Sequence, residues 1–290
     1  MFFDEEMLLD LRLNIMDKYV DKFVINEATY MHSGKEKKLI FNINNYPKFK
    51  DKIIYNVIDN HPDGLEVINE KDDKNTKNSK LINNSSKREH YQREMAQETL
   101  FQADPDDVIL VNDIDEIPNL QNLNFRKLHN KIIIFKQKIY CYKFNLNYKN
   151  ITWHGSKACK KKNLVSPQWL RDVRHKKYHF LRLDILFSQK KYNDIFYVEN
   201  GGWHFTNIKS AEKLELKFSN FLHHVEFEES KLKSKNIKAM IKENRILYDL
   251  DVDQRTYKWG GEKKLSKVDF SDLPKYLSEN YKKYSDWFEI

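Results

Sequence analysis

Four apolar residues in a row, Val108 to Val111, are followed at once by Asp113, Asp115 and Glu116 in the stretch "DPDDVILVNDIDEIP". A continuous apolar run of this length fits a strand buried on both faces. Three carboxylates at its C-terminal end repel one another unless something positive sits among them. In open α/β sheets, ligands bind at the carboxyl ends of strands. Residues two apart in an extended chain share a face, which would aim Asp113 and Asp115 at one point. Two hard oxygen ligands suit Mg²⁺ or Mn²⁺, which keep several waters and bind substrate phosphates as well. The expectation is a divalent cation carrying a diphosphate. Asp-x-Asp also occurs in ordinary solvated turns. The apolar strand before it and the abrupt Ile117-Pro118 stop after it favour the ligand reading.

The rest of the chain points to an α/β layout. Leu9, Leu13, Met16 and Val20 recur at spacings of three and four, which predicts an amphipathic helix capped by Asp4. Strands are expected at residues 22–26, 37–43 and 52–59, then at 108–112 and from Lys131 through "KIIIFKQKIYCYKF". Residues 88–103 read as a helix, and 69–87 are so uniformly polar that a mobile loop is expected there. Helical patterns return in "SAEKLELKFSNFLHH" and "DLPKYLSENYKKYSDWF". The whole predicts one domain over residues 1–290, with a mostly parallel central sheet and a helical part, 205–290, packed on it.

Composition adds little. The net charge of +8 attracts polyanions in general, but Lys and Asn crowd the loops throughout. Two cysteines without Cys-x-x-Cys spacing, Cys141 and Cys159, exclude a disulfide framework and fit a reducing compartment. The opening "MFFDEEMLLDLRLNIM" lacks the basic leader of a signal peptide, and no run approaches a membrane span. A cytoplasmic protein is expected, with peripheral membrane contact open through its basic surface.

A second stretch, "NGGWHFTN" from Asn200 to Asn207, joins a flexible backbone to two chemically useful rings. Trp203 offers a flat face for a sugar or base, and His204 a nitrogen for a metal or phosphate. A turn followed by a core Trp is the plainer alternative. The basic run Lys157–Arg182 fits a solvated face, an anionic acceptor, a membrane surface, or a diphosphate held by Arg171. His175 and His179 have i, i+4 spacing but lack the Glu of a zinc protease motif.

Together these segments resemble glycosyltransferase family 17. "FFDEEMLLDLRLNIM" is similar to the family's opening, placing Phe3, Glu5, Leu8, Leu9 and Arg12. "DKFVINEATYMHSGKEKKLIF" is similar to its next segment, placing Glu27, Gly34, Lys35, Leu39 and Phe41. "DDVILVNDIDEIP" matches its Asp-x-Asp-Glu-Ile-Pro, "GGWHF" its Gly-Trp-His, and "LPKYLSENYKKY" its C-terminal Pro-x-Tyr-Leu…Asn-Tyr. Lys38 departs from a common Pro, and of the family's opening strand only Met1 to Phe3 remain, so that strand is short or cut.

The resemblance implies a GT-A type, Rossmann-like domain. It implies inverting transfer of N-acetylglucosamine, or a related sugar, from a UDP-sugar donor to a glycan or glycoprotein acceptor, such as a β-mannoside. Asp113, Asp115 and His204 would hold Mn²⁺ or Mg²⁺, and Arg93 would neutralise the diphosphate. Glu27 and Lys35 would contact the nucleoside or phosphates, and Trp203 would line the sugar pocket. Inversion needs a general base, normally Asp or Glu. Glu116 beside the metal motif is the first choice, with Glu94 and Glu199 as rivals. Two other classes share parts of the pattern: a metal-dependent nuclease or nucleotidyl transferase, and an inert glycan-binding module. No binding of nucleic acid is expected.

Overall fold

Among the described residues, strand pairing divides the β-structure into three sheets. The computed structural model describes residues 1–179, 181–250 and 258–290. Strands β1 (Phe23–Ala28) and β2 (Ile53–Ile58) pair in parallel. Phe2 extends this ribbon by bridging to Glu27. Helix α1 (Glu6–Met16) lays Leu8, Leu9, Leu11, Leu13 and Met16 into the main core, against Phe23, Ile25, Phe135 and Phe205. Its N-cap is Glu5 rather than Asp4, and no side chain caps it.

The four-stranded sheet has the order β3 (Val108–Val111), β8 (Lys157–Lys160), β5 (Ile132–Phe135), β9 (Ile195–Val198). The five-stranded sheet runs β11 (Ser266–Lys267), β7 (Leu146–Trp153), β6 (Gln137–Cys141), β10 (Gly202–Thr206), β4 (Glu116–Pro118).

The fold is mixed α/β, and the expected mostly parallel sheet is not what forms. Among the strand pairs of the described residues, β1/β2, β5/β9 and β6/β10 are parallel, whereas β3/β8, β5/β8, β4/β10, β6/β7 and β7/β11 are antiparallel. Connection length gives the reason for β6/β7. Only residues 142–145 separate them, whereas a parallel pair needs a crossover of about a dozen residues. The run from Lys131 breaks at Lys136, so that β5 and β6 belong to different sheets.

Three further expectations are corrected. Residues 69–87 are not an irregular loop, because most of them enter helix α2 (Lys74–Glu94). Asp73 caps it, accepting from the N–H groups of Asn75 and Thr76 at 2.9 and 3.0 Å. Its buried face is polar (Asn84, Ser85, Gln92, Arg93), so no apolar stripe announces it. Asn84 satisfies the backbone of Glu66, and Gln92 Nε2 donates to the carbonyl of Tyr30.

Residues 37–43 form no strand. The N–H groups of Ile40 and Phe41 donate to the Glu27 carboxylate at 2.9 and 3.0 Å instead of to a neighbouring strand. The C-terminal part is not purely helical either. It carries α4 (Ala211–Phe218), α5 (His224–Ser230), α6 (Ser234–Lys242) and α7 (Lys275–Glu279), but also β10 and β11.

Candidate active site

The acidic stretch is the joint between two sheets. β3 ends at Val111 on the edge of the four-stranded sheet, and β4 begins at Glu116 on the edge of the five-stranded one. Between them the chain turns, with the Glu116 N–H donating to the Asp113 carbonyl at 3.1 Å. Asp113 and Asp115 therefore sit on a turn, not on one face of an extended strand. The residues of β3 are half-buried, as an edge strand allows, rather than covered on both faces.

The two sequence motifs meet here. β4 runs antiparallel to β10, which sets His204 opposite Glu116 and Trp203 opposite Ile117. The N–H of Phe205 donates to the Asp115 carbonyl at 2.8 Å. Gly202 makes this pairing possible. It lies at φ +123°, and a Cβ there would come within 2.2 Å of the Ile117 carbonyl oxygen.

Three arginines supply the positive charge that the carboxylates require. Arg12, from α1, donates to the carbonyls of Asp113 (3.2 Å) and Glu116 (2.5 Å) and to the Asn112 side chain. Arg93, at the end of α2, reaches Asp113 Oδ1 at 3.2 Å and Glu89 at 3.0 Å. Arg171 lies on α3 (Pro167–Asp172), which starts at Pro167 behind an N-cap from Ser166. Its Nη2 donates to Asp113 Oδ2 at 2.8 Å and to Glu116 Oε1 at 2.6 Å, and its Nη1 donates to Glu116 Oε2 at 2.8 Å. The buried ammonium of Lys157 in turn donates to the carbonyls of Arg171 and Val173, fixing the C-terminal end of α3.

Glu116 is fully buried and saturated. Beyond Arg171 it accepts from Trp153 Nε1 (2.6 Å), Ser156 Oγ (3.3 Å) and the Asp113 N–H (3.2 Å). Gly155 lies so close that a Cβ would meet Glu116 Oε1 at 2.1 Å and Arg171 Nη1 at 2.5 Å. Burial alone would raise the pKa of Asp113, but Arg171 and Arg93 hold it well below the carboxylate range.

Asp115 is the carboxylate left over from this clamp. It faces His204 Nε2 at 3.6 Å, and the imidazole stacks on Trp153 with centroids 4.6 Å apart. His204 Nδ1 is buried without a hydrogen-bond partner. Burial pushes the Asp115 carboxyl up, yet His204 and Lys217 together outweigh it and the pKa falls below its ordinary value.

Asp113, Ile114 and Asp115 line a cleft of about 200 Å³. The end of β1 and the segment after it contribute Ala28, Tyr30, Met31 and His32, α2 contributes Glu89 and Gln92, and α4 contributes Lys217. Among the described residues, no group of three or more His, Cys, Asp or Glu side chains is placed to hold a metal. Both oxygens of Asp113 are turned to arginines, so Asp113, Asp115 and His204 do not converge as one ligand set.

The other expected site residues fall elsewhere. Glu27 is a buried latch, accepting from Lys37, Ile40, Phe41 and Tyr55, and does not line the cleft. Lys35 is exposed, away from the cleft lining, and its carbonyl accepts from the Met31 N–H. Trp203 points to the opposite face from His204, with its Nε1 on the Asp272 carbonyl at 2.7 Å. Glu94 accepts from the Gln168 N–H at the start of α3, and Glu199 is paired with Lys136.

Sequence reasoning passed over Trp153, Gly155 and Lys157, and gave Arg171 and Arg12 no role in the clamp. The pairing of carboxylates with arginines far apart in the chain leaves no local signal. A trace existed only in the excess of negative charge at Asp113–Glu116.

No helix among the described residues is long and apolar enough to cross a membrane. Comparison with curated proteins and with solved structures gives no match. The model of the family described as glycosyltransferase family 17 matches residues 1–288, almost the whole chain. The chain therefore belongs to glycosyltransferase family 17 and is a glycosyltransferase, with the acidic joint and its cleft as its candidate active site.

Proposed function

We propose that the cleft beside Asp115 seats a nucleotide sugar, UDP-N-acetylglucosamine or a close relative, and that the enzyme transfers the sugar with inversion to a glycan hydroxyl. The carrying observation is that Asp113 and Glu116 are neutralised inside the protein while Asp115 faces the cleft with His204 beside it. The family's GT-A type arrangement would place the nucleoside against the end of β1, where Tyr30, Met31 and His32 form the wall. Lys217 lines the same cleft and offers a cation to the diphosphate.

Asp115 and His204 fit a hard divalent cation. A small cation held through one carboxylate, one imidazole and substrate phosphate is ordinary chemistry for Mn²⁺ or Mg²⁺. His204 turns its Nε2 towards the Asp115 carboxylate at 3.6 Å, so a cation between them would take that nitrogen as a ligand while Nδ1 carries the proton. When bound, such an ion stabilises the charge that builds on the departing diphosphate. Asp113 in this reading positions the turn, because its oxygens are already committed to Arg93 and Arg171.

The base role moves away from Glu116. A proton acceptor needs access to the acceptor hydroxyl, and Glu116 is closed off by five donors. Glu89 lines the cleft, and Arg93 holds its Oε1 at 3.0 Å, which aims the carboxylate. We assign the base to Glu89. Replacing it by Gln should lower kcat on the order of a hundredfold or more and leave donor affinity in place.

Calorimetric titration with a panel of UDP- and GDP-sugars, with and without Mn²⁺, tests the donor assignment. Cation-dependent binding of a UDP-sugar is the expected result. A folded protein that binds none of them would overturn it.

A further inference from the structure

We infer that the loop between α3 and β9 is a docking element for an anionic lipid surface. Leu181, Leu183, Leu186 and Phe187 are 68%, 71%, 77% and 89% exposed. Four large apolar side chains left this bare within seven residues mark an interaction site rather than ordinary surface scatter.

The tip, residues 181–191, is built, not loose. The N–H groups of Ile185, Leu186 and Ser188 close successive turns onto the carbonyls of Arg182, Leu183 and Ile185 at 3.1–3.3 Å. Asp184 binds Arg182 at 2.9 and 2.8 Å and Lys191 at 2.6 Å, tying the two ends of the tip together. Its base is fastened to α3. Trp169 Nε1 donates to the Gln189 carbonyl at 2.6 Å, and Lys190 Nζ to Asp172 at 2.7 Å.

Charge decides the partner. Residues 174–191 carry six basic side chains (Arg174, Lys176, Lys177, Arg182, Lys190 and Lys191) against one acid, Asp184. Asp184 pairs with Arg182 and Lys191, and Asp172 with Lys190, which leaves the exposed Arg174, Lys176 and Lys177 to carry the collar's positive charge. A protruding Leu/Phe tip in a basic collar fits the boundary of a bilayer with anionic headgroups, where apolar burial and electrostatic attraction add. A partner protein reached by apolar contact alone would not need the collar.

Vesicle co-sedimentation tests this with the full chain. Phosphatidylcholine vesicles containing phosphatidylserine should capture the protein, and phosphatidylcholine vesicles alone should capture it far less. The triple variant L183S/L186S/F187S should bind on the order of a hundredfold more weakly. K176E/K177E should lose on the order of tenfold on anionic vesicles. All five positions are exposed in a loop, so both variants should melt as the parent does. Equal binding by the parent and the triple variant would overturn the inference, as would no capture of the parent. A parent that dimerises in sedimentation velocity, with the triple variant monomeric, would give the tip to a second copy and overturn it too.

Discussion

Arg171 holds Glu116 with both guanidinium nitrogens, at 2.8 and 2.6 Å, and the carboxylate it holds has no exposed surface. Breaking a buried pair by removing one partner leaves an uncompensated charge, at a cost of about 3–5 kcal/mol. Arg171→Ala should lower stability by about that amount and abolish activity. Arg171→Lys should recover only part of it, since an ammonium cannot serve two oxygens of one carboxylate and a third from Asp113 together. Urea unfolding of the two variants checks the order.

Asp115 and Asp113 should separate in their effects. Asp115→Ala is expected to remove cation-dependent donor binding while changing stability by less than about 1 kcal/mol, because Asp115 stands outside the arginine clamp. Asp113→Asn should instead lower stability, by about 1–3 kcal/mol, by weakening two ion pairs. Calorimetry and denaturant titration of both variants read the contrast.

Gly155→Ala should disrupt the site without replacing a charged group. The added methyl would sit 2.1 Å from Glu116 Oε1 and 2.3 Å from Trp153 Nε1, so the clamp must move. A loss of about 1–3 kcal/mol is expected, together with most of the activity. Tryptophan fluorescence would report the displacement of Trp153.

Glu27→Ala is expected to leave donor affinity intact while destabilising the fold by about 3–5 kcal/mol. Glu27 holds Lys37, two backbone N–H groups and the Tyr55 hydroxyl in a site with no exposed side-chain surface. A change in donor Kd in a still-folded variant would return Glu27 to the nucleotide site.

Acid should weaken the clamp. The folded pKa of Asp113 lies well below its unfolded value, so its contribution to stability is fully present above about pH 4. It is lost as pH falls from there towards the folded pKa, where the unfolded chain binds the extra proton. Denaturant midpoints should therefore fall as the pH drops below about 4, and Asp113→Asn should show a shallower fall.

The sequence disclosed the site's address more than its construction. β1, β2, β3 and α1 follow the apolar patterns that predict them, since each depends on residues adjacent in the chain. The proximity of the acidic stretch to Gly-Trp-His was readable only through family resemblance; it arises from the pairing of β4 with β10. The clamp was not readable, because Arg12, Arg93 and Arg171 reach one turn from three separate helices. The first part of α2, residues 74–87, was missed for a different reason, whereas residues 88–94 fall within the expected helix. The inward face of α2 is made of Asn, Ser, Gln and Arg, so hydrophobic periodicity has nothing to detect.

Asp113–Glu116 belongs to neither sheet alone, and the strands on its two sides pair with different partners. A nascent chain with one sheet formed has no turn of this shape and no place for a donor sugar. If the donor is the nucleotide sugar proposed above, its binding would recognise completed folding as well as chemistry. Occupancy of the cleft would favour the state with both sheets in place, by RT ln(1 + [L]/Kd). Supply of the donor would then set how long the enzyme lasts as well as how fast it works.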